Sequence, residues 1–175
     1  MRHSPVMPGD SARDAAVSAL YGAASVRLIA VLRGLGATAP DAEEVVQEAF
    51  ARLLVHWDQA RSYDEPVAWV RTVAVRIWIS RERRRSSGRR AVARLVARRT
   101  VPPSQPGVER LVMAEALAKL PRQQRVVLVL HYMEDLPVEA IAHTLQVPVG
   151  TVKSRLSRGR TALQTLLTAE APDHA

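Results

Sequence analysis

The sequence predicts an all-α protein of two small helical domains joined by a flexible linker, the second domain containing a helix-turn-helix. Leu, Val and Ala supply most of the apolar content, and aromatic residues make up only 4% of the chain. This composition suits helices packed on helices better than β-sandwiches. Apolar residues also recur at helical spacing in several segments. A Pro-rich stretch, residues 101–107, separates these segments into two groups.

The first domain is expected over residues 12–86. It follows a short lead, up to about Ser11, that lacks the apolar core of a signal peptide. Apolar spacing, glycines after the first helix and Pro66 before the third predict three helices, at about residues 13–35, 39–57 and 67–85.

The second predicted helix is acidic on its outer side, whereas the rest of the chain is basic. Asp41 and Glu44 have the spacing of a capping box at its start. A loop is predicted to follow it, from Asp58 to Glu65. Ser86-Ser87-Gly88 is expected to end the domain, and residues 87–107 form the basic, Pro-rich linker.

The second domain is expected over residues 108–170. Its first helix is predicted to end at Pro121, and a buried helix is predicted at residues 123–133. The β-branched run Val126–Leu130 also suits a strand by its length, but the helical context favours a helix.

Residues 136–145 and 149–163 then form two short amphipathic helices joined by a tight turn. The second of them carries hydroxyls and cations outside its buried stripe, and no acidic residue lies between Val149 and Ala169. Such a face suits DNA phosphates and base edges in the major groove. The alternative is a basic solvated face on an ordinary helical hairpin. The small Ala142 and the short connection at Pro148 favour the helix-turn-helix. Gln146 occupies the turn position where Gly is frequent, so a positive φ there would cost about 1 kcal/mol.

Charge and composition narrow the function classes. The net charge is +8, the pI is about 11.1, and arginine supplies nearly all the cations. This excess of positive charge favours nucleic acid as the binding partner, although a membrane surface or an acidic protein would also fit.

The absence of cysteine excludes disulfides, thiolate catalysis and cysteine-bound zinc. No apolar run of about 18 residues is evident, so we do not expect membrane insertion. We expect the protein to stay in the cytoplasm. The five histidines lack metal spacing, and no phosphate-binding loop is present. We therefore expect no enzyme, no cofactor and no metal.

Four segments in order carry a family resemblance: residues 41–50 in the first half, then 120–125, 139–142 and 150–156 in the second. With a linker between the halves, the chain resembles the bacterial RNA polymerase sigma factors of the extracytoplasmic-function (ECF, sigma-70) type. The resemblance runs from about Ala15 to Leu167. It implies a sigma region 2 domain at 12–86 and a sigma region 4 domain at 108–170.

The resemblance also implies partners and sites. The acidic helix would dock on the clamp coiled coil of the largest subunit of core RNA polymerase, through Asp41, Glu43, Glu44, Gln47 and Glu48. The third helix and its preceding loop would bind the melted minus-ten promoter element, through Arg61, Tyr63, Trp69, Arg71, Arg76 and Arg83. The last helix would read the minus-thirty-five element, through Thr151, Lys153, Ser154, Arg155 and Arg158. The family usually has Asn and Asp where this chain has Arg76 and Ser80, which leaves the minus-ten sequence open.

Two further expectations accompany this interpretation. When free, the two domains would pack together or be held by an anti-sigma factor, with their DNA faces covered. The alternative function is a helix-turn-helix transcriptional regulator that acts without polymerase, which would leave the acidic helix and the third helix without a role.

Overall fold

The computed structural model describes residues 8–61, 65–92 and 108–170, and every regular element in these ranges is an α-helix. The prediction of an all-α fold with two helical domains is confirmed. The helices are α1 (Pro8–Gly34), α2 (Ala39–Val55), α3 (Trp57–Ala60), α4 (Pro66–Val92), α5 (Val108–Lys119), α6 (Arg122–Tyr132), α7 (Val138–Leu145) and α8 (Val149–Glu170).

In the first domain α1, α2 and α4 pack on one another. Each helix contributes one apolar stripe, and the residues at its centre have no more than 1% of their surface exposed. Burying side chains of this size stabilises the fold by about 1.5–3 kcal/mol each. The innermost residues of this core are Leu32, Leu35, Val45, Val46, Leu53 and Val70. Trp78 is also buried, and its Nε1 donates a hydrogen bond of 3.3 Å to the carbonyl oxygen of Leu35.

The start of α2 differs from the predicted capping box. Its N-cap is Thr38, whose hydroxyl accepts a hydrogen bond from the backbone N–H of Asp41, and Pro40 lies in the first turn. Proline suits this position because its φ is fixed near the helical value and a first-turn residue needs no N–H donor. The helix therefore begins before Asp41, and the pairing of Asp41 with Glu44 as a capping box was wrong.

Three predicted boundaries also require correction. Helix α1 begins at Pro8, inside the predicted lead. Helix α4 continues to Val92, through Ser86-Ser87-Gly88, because a glycine within a helix costs only about 1 kcal/mol and no proline interrupts the segment. The predicted loop after α2 contains the one-turn helix α3, which buries Ala60.

In the second domain α5, α6 and α7 each pack against α8, and α6 also packs against α7. All five residues of Val126–Leu130 are buried, because α6 packs against α1, α7 and α8 at once. A helix covered on several sides is apolar around its circumference. The strand alternative for this run is wrong.

One stretch of α1, Ser11–Gly34, is long and apolar enough to cross a membrane by length and composition, contrary to the sequence prediction. One such helix near an N-terminus is weak evidence for a membrane span, because core helices of soluble proteins meet the same criterion of length and composition. Here Val17, Leu28 and Leu32 are buried in the first domain, and this packing accounts for part of the apolar character of the stretch.

Candidate functional site

The turn between α7 and α8 has the geometry predicted for a helix-turn-helix. Gln146 ends α7 in the left-handed region, with φ 55° and ψ 48°. The N–H of Val147 donates to the carbonyl oxygen of Ala142 at 3.1 Å, which reverses the chain as glycine does at other helix ends. Ile141 and Ala142 are buried where α7 approaches α8. Gln146 therefore adopts the positive φ that was considered for this turn position.

Helix α8 presents the predicted polar face. Val152, Leu156 and Gly159 are buried on its inner side, and the space there is tight: a Cβ on Gly159 would lie 3.0 Å from Cδ1 of Leu128. The five candidate residues of the minus-thirty-five face differ in accessibility. Three are exposed (Lys153, Ser154 and Arg158) and two are half-buried (Thr151 and Arg155).

One of these side chains, that of Ser154, already forms a hydrogen bond within α8. The Ser154 hydroxyl donates a hydrogen bond of 3.0 Å to the carbonyl oxygen of Thr151. A hydroxyl keeps acceptor capacity after donating its proton, so Ser154 suits a donor on DNA. Lys153 and Arg158 extend from the exposed surface and offer only donors.

The acidic helix α2 divides into two sides. Glu43 and Gln47 are exposed. Asp41 and Glu48 are half-buried and face arginines of α4: Arg85 binds both oxygens of Asp41, at 2.7 and 3.0 Å, and Arg81 lies 2.5 Å from Glu48.

Glu44 lies between these two groups. Its carboxylate is 2.9 Å from Arg81 although 64% of its side chain is exposed. Glu48 also pairs with Arg52 at 2.6 Å on α2 itself. The predicted polymerase-binding set therefore contains an outward part, Glu43, Glu44 and Gln47, and a part that holds α2 against α4, Asp41 and Glu48.

The Arg85 guanidinium lowers the pKa of Asp41 to about 2, with a smaller contribution in the same direction from the Thr38 hydroxyl. Because the folded-state pKa lies below the ordinary aspartate value of 3.8, this carboxylate stabilises the fold above about pH 4, and the contribution disappears as the pH falls towards 2.

We expect Asp41→Asn to lower the free energy of unfolding by about 1 kcal/mol at pH 6, since the pair is partly solvated. Urea unfolding of the wild type and the variant between pH 6 and pH 2 measures the difference, which should shrink to near zero at the acid end. A difference that stays constant with pH would assign the loss to packing and not to the charge of Asp41.

The described minus-ten candidates lie on α4, except for Arg61, which follows α3. Arg61 is exposed and pairs with Asp58 at 3.2 Å. Trp69 is half-buried, with its ring centroid 6.2 Å from that of His56. Arg83 is exposed. Tyr63, the remaining loop candidate, falls outside the described residues.

Two of these candidates, Arg71 and Arg76, contact the second domain. Arg71 Nη1 lies 3.2 Å from Glu134 Oε2. Arg76 donates two hydrogen bonds of 3.0 Å to the carbonyl oxygens of His143 and Thr144, at the end of α7. The sequence had placed both arginines towards DNA and gave no signal that Glu134, in the loop after α6, would reach Arg71 or that the end of α7 would reach Arg76.

The interdomain interface comprises these contacts and a second group near the ends of α1 and α4. Arg27 of α1 pairs with Glu134 at 2.6 Å. Glu82 of α4 pairs with Arg122 at 2.9 Å and with Arg125 at 3.4 Å on α6. Gly34 permits the close approach, because a Cβ there would lie 3.0 Å from the sulfur of Met133.

Within residues 8–61, 65–92 and 108–170, no group of three or more His, Cys, Asp or Glu could hold a metal ion. An apolar groove of about 480 Å³ lies between α6 and α8, lined by Leu128, Tyr132, Leu163 and Leu167 among others. The polar faces of α2, α4 and α8 carry the candidate residues that the structure describes, apart from Arg61.

These surfaces and the fold define a two-domain helical protein of the sigma-70 class. The family model described as "Sigma-70 region 2" matches residues 20–88, and "Sigma-70, region 4" matches residues 110–163. The chain belongs to the ECF RNA polymerase sigma factors, as the resemblance indicated. A regulator with the helix-turn-helix alone is not favoured, because the region 2 match covers the first domain.

Relatives of similar length support this membership. The chain is 34% identical over 166 residues to the ECF RNA polymerase sigma factor SigL of Mycobacterium tuberculosis, an alignment that covers 91% of this chain and 93% of SigL. It is 31% identical over 143 residues to the ECF RNA polymerase sigma factor SigW of Bacillus subtilis, covering 73% and 75% of the two chains.

Solved structures share the fold. The sigma factor RpoE in complex with the anti-sigma factor NepR, from Bartonella quintana, aligns with a TM-score of 0.71 at 23% identity, covering 86% of this chain and 95% of that one. CnrH in complex with the cytosolic domain of CnrY aligns with a TM-score of 0.64 at 24% identity, covering 93% and 94%. At these identities the likeness establishes the fold.

Proposed function

We propose that this sigma factor binds core RNA polymerase and directs promoter-specific initiation by recognising minus-ten and minus-thirty-five elements. One observation carries the proposal: the two sigma regions occur in order, and each presents an exposed helix of the required character, acidic on α2 and basic on α8. The region 2 domain is assigned to residues 12–86 and the region 4 domain to residues 108–170, with 87–107 between them.

Helix α2 contacts the polymerase in this proposal. Its outward residues Glu43, Glu44 and Gln47 suit a basic protein surface, for which we propose the clamp coiled coil of the largest subunit. Against DNA the same carboxylates would face phosphates of like charge, which costs several kcal/mol (about 2–5) at a close contact. Asp41 and Glu48 contribute by fixing α2 on α4.

Helix α4 contacts the minus-ten element. Trp69 offers an aromatic face to an unpaired base, and stacking of this kind stabilises bound single strands by about 1–3 kcal/mol per base. Arg61, Arg71, Arg76 and Arg83 offer guanidinium groups for the strand's phosphates. Tyr63 keeps its proposed place in this group.

Helix α8 enters the major groove of the minus-thirty-five element, as the second helix of a helix-turn-helix does. Lys153 and Arg158 are the exposed cations of its candidate set, and Thr151, Ser154 and Arg155 complete it. Arginine binds guanine through two hydrogen bonds, which discriminates against other bases by about 1–3 kcal/mol.

Three accompanying proposals concern catalysis, cellular location and a further protein partner. The chain itself catalyses no reaction, since its relatives are named as sigma factors. It acts in the cytoplasm, where its template lies. An anti-sigma factor is a further partner, a proposal supported by the two structural neighbours, which were solved in complexes with NepR and with the cytosolic domain of CnrY.

Run-off transcription with purified core polymerase on a promoter library tests the function. We expect discrete transcripts that depend on the added chain and share two sequence elements upstream of their start sites. The regulator alternative gives a different result: the chain would retard duplex DNA without core polymerase and would not co-purify with it. Failure to associate with core and to select start sites would refute the proposal.

A further inference from the structure

The arginines that the proposed function assigns to the minus-ten strand are bound within the chain itself. Arg71 pairs with Glu134, and only 16% of its side chain is exposed. Arg76 donates from Nε and Nη2 to two carbonyl oxygens at the end of α7. Both sets of acceptors belong to the second domain.

The acceptors resemble a nucleic-acid strand in their chemistry. Glu134 is an anion with only 4% of its side chain exposed, and each of its oxygens is paired with a different arginine of the first domain: Oε1 with Arg27 at 2.6 Å and Oε2 with Arg71 at 3.2 Å. The last carbonyls of a helix carry partial negative charge, and Arg76 binds two of them. The phosphate groups of a DNA strand likewise offer arginine negatively charged oxygen acceptors.

The interface has more cations than it neutralises. Among the described residues, the ion pairs and hydrogen bonds across it involve five arginines, Arg27, Arg71, Arg76, Arg122 and Arg125, and two glutamates, Glu82 and Glu134. Burial lowers the pKa of Arg125, and the buried Nε atoms of Arg71 and Arg125 have no hydrogen-bond partner. Buried donors without partners cost free energy, so the closed interface is open to competition by a better acceptor.

We propose that Glu134 and the carbonyl end of α7 act as an internal substitute for the minus-ten strand. The inference rests on the proposed function of Arg71 and Arg76. In the closed chain the second domain occupies these arginines, and single-stranded DNA competes for them. Binding of the strand and separation of the two domains are then the same event, so each favours the other.

The affinity of the free chain for single-stranded DNA measures this competition. The probe is a fluorescein-labelled oligodeoxythymidine of about 12 nucleotides, within the usual site size of such proteins. Three variants of the full chain weaken the interface from different sides: Glu134→Gln, Arg27→Gln and Gly34→Leu. None of them alters Arg71 or Arg76. We expect each to raise the affinity by about fivefold or more, because the fraction of open chains rises.

The signs of the charge changes separate this mechanism from general electrostatics. Glu134→Gln removes a negative charge and would favour DNA in any case. Arg27→Gln removes a positive charge, so a general charge effect predicts a lower affinity for DNA. Gly34→Leu changes no charge, so the same effect predicts an unchanged affinity. Arg33→Gln is the matched control for Arg27→Gln, since it removes the same charge from an exposed position of α1. We expect its affinity to be equal to or below that of the wild type.

Domain separation is read by energy transfer between dyes on two introduced cysteines, Ala23→Cys on α1 and Thr161→Cys on α8. Both positions are exposed, and the chain has no cysteine of its own. Excess oligonucleotide should lower the transfer efficiency of the wild type, and the three interface variants should start from a lower value.

Two outcomes would overturn the inference. One is unchanged or lower DNA affinity in both Arg27→Gln and Gly34→Leu. The other is separation of the domains in these variants without any gain in binding. Run-off transcription by the wild type with core polymerase distinguishes the cause. If promoter selection is intact, only the internal competition is wrong; if selection is absent, the proposed function fails as well.

Discussion

The double substitution Lys153→Ala and Arg158→Ala is expected to reduce promoter-specific run-off transcription by about 100-fold or more. Two exposed donors on α8 are lost, and each base or phosphate contact of this kind contributes about 1–3 kcal/mol, with every 1.4 kcal/mol worth a factor of ten. Binding to core polymerase should be unchanged, because the substitutions leave α2 intact. Quantified run-off and co-elution with core measure the two effects separately.

Arg160→Ala is the matched control for this experiment. Arg160 lies on the same helix, is exposed, and borders the apolar groove lined by Leu128 and Tyr132. Its removal takes away one positive charge, against two in the double variant, and should reduce transcription by less than about threefold, the effect of general charge on DNA affinity. Equal losses in the control and the double variant would mean that α8 contributes charge alone and does not enter the groove.

The second large effect is expected at α2. Glu43→Lys together with Gln47→Lys places two cations on the outward part of the helix, and we expect the affinity for core polymerase to fall by about 100-fold or more, because like charges opposed across an interface cost several kcal/mol. Both positions are exposed, so thermal stability should change little. Fluorescence titration of labelled chain with core polymerase measures the loss.

Glu115→Lys reverses one exposed charge on α5, in the second domain, and serves as the control for charge reversal as such. It should bind core with nearly the wild-type affinity. The assignment of α2 fails if the double variant binds core normally, or if it loses helix content by circular dichroism together with its binding.

Sequence patterns were most informative where one helix face determines the outcome. Apolar spacing located the principal helices, and the Gln146 turn followed from the break between two such patterns and from Pro148. Helix ends were less predictable. Thr38 caps α2 through a single hydrogen bond, and α4 continues through Ser86-Ser87-Gly88. Differences of about 1 kcal/mol determine such boundaries, and neighbouring structure readily outweighs them.

The candidate sites were predictable by residue type but not by partner. The acidic face of α2 and the basic face of α8 follow from charge along one helix. That Asp41 and Glu48 turn towards α4, while Glu43 and Gln47 face outward, depends on how two helices cross. Glu134 is distant from Arg27 and Arg71 in the chain, and no local pattern predicts a contact between elements so far apart.

The bracing of α2 against α4 bears on how accurately a start site is chosen. Arg85 of α4 donates two hydrogen bonds to Asp41 of α2, and Arg81 of α4 forms ion pairs with Glu44 and Glu48 of α2. Under the proposed function, the helix that contacts the polymerase and the helix that contacts the melted bases are therefore held together as one rigid unit. The spacing between these two proposed surfaces then does not depend on where the second domain lies.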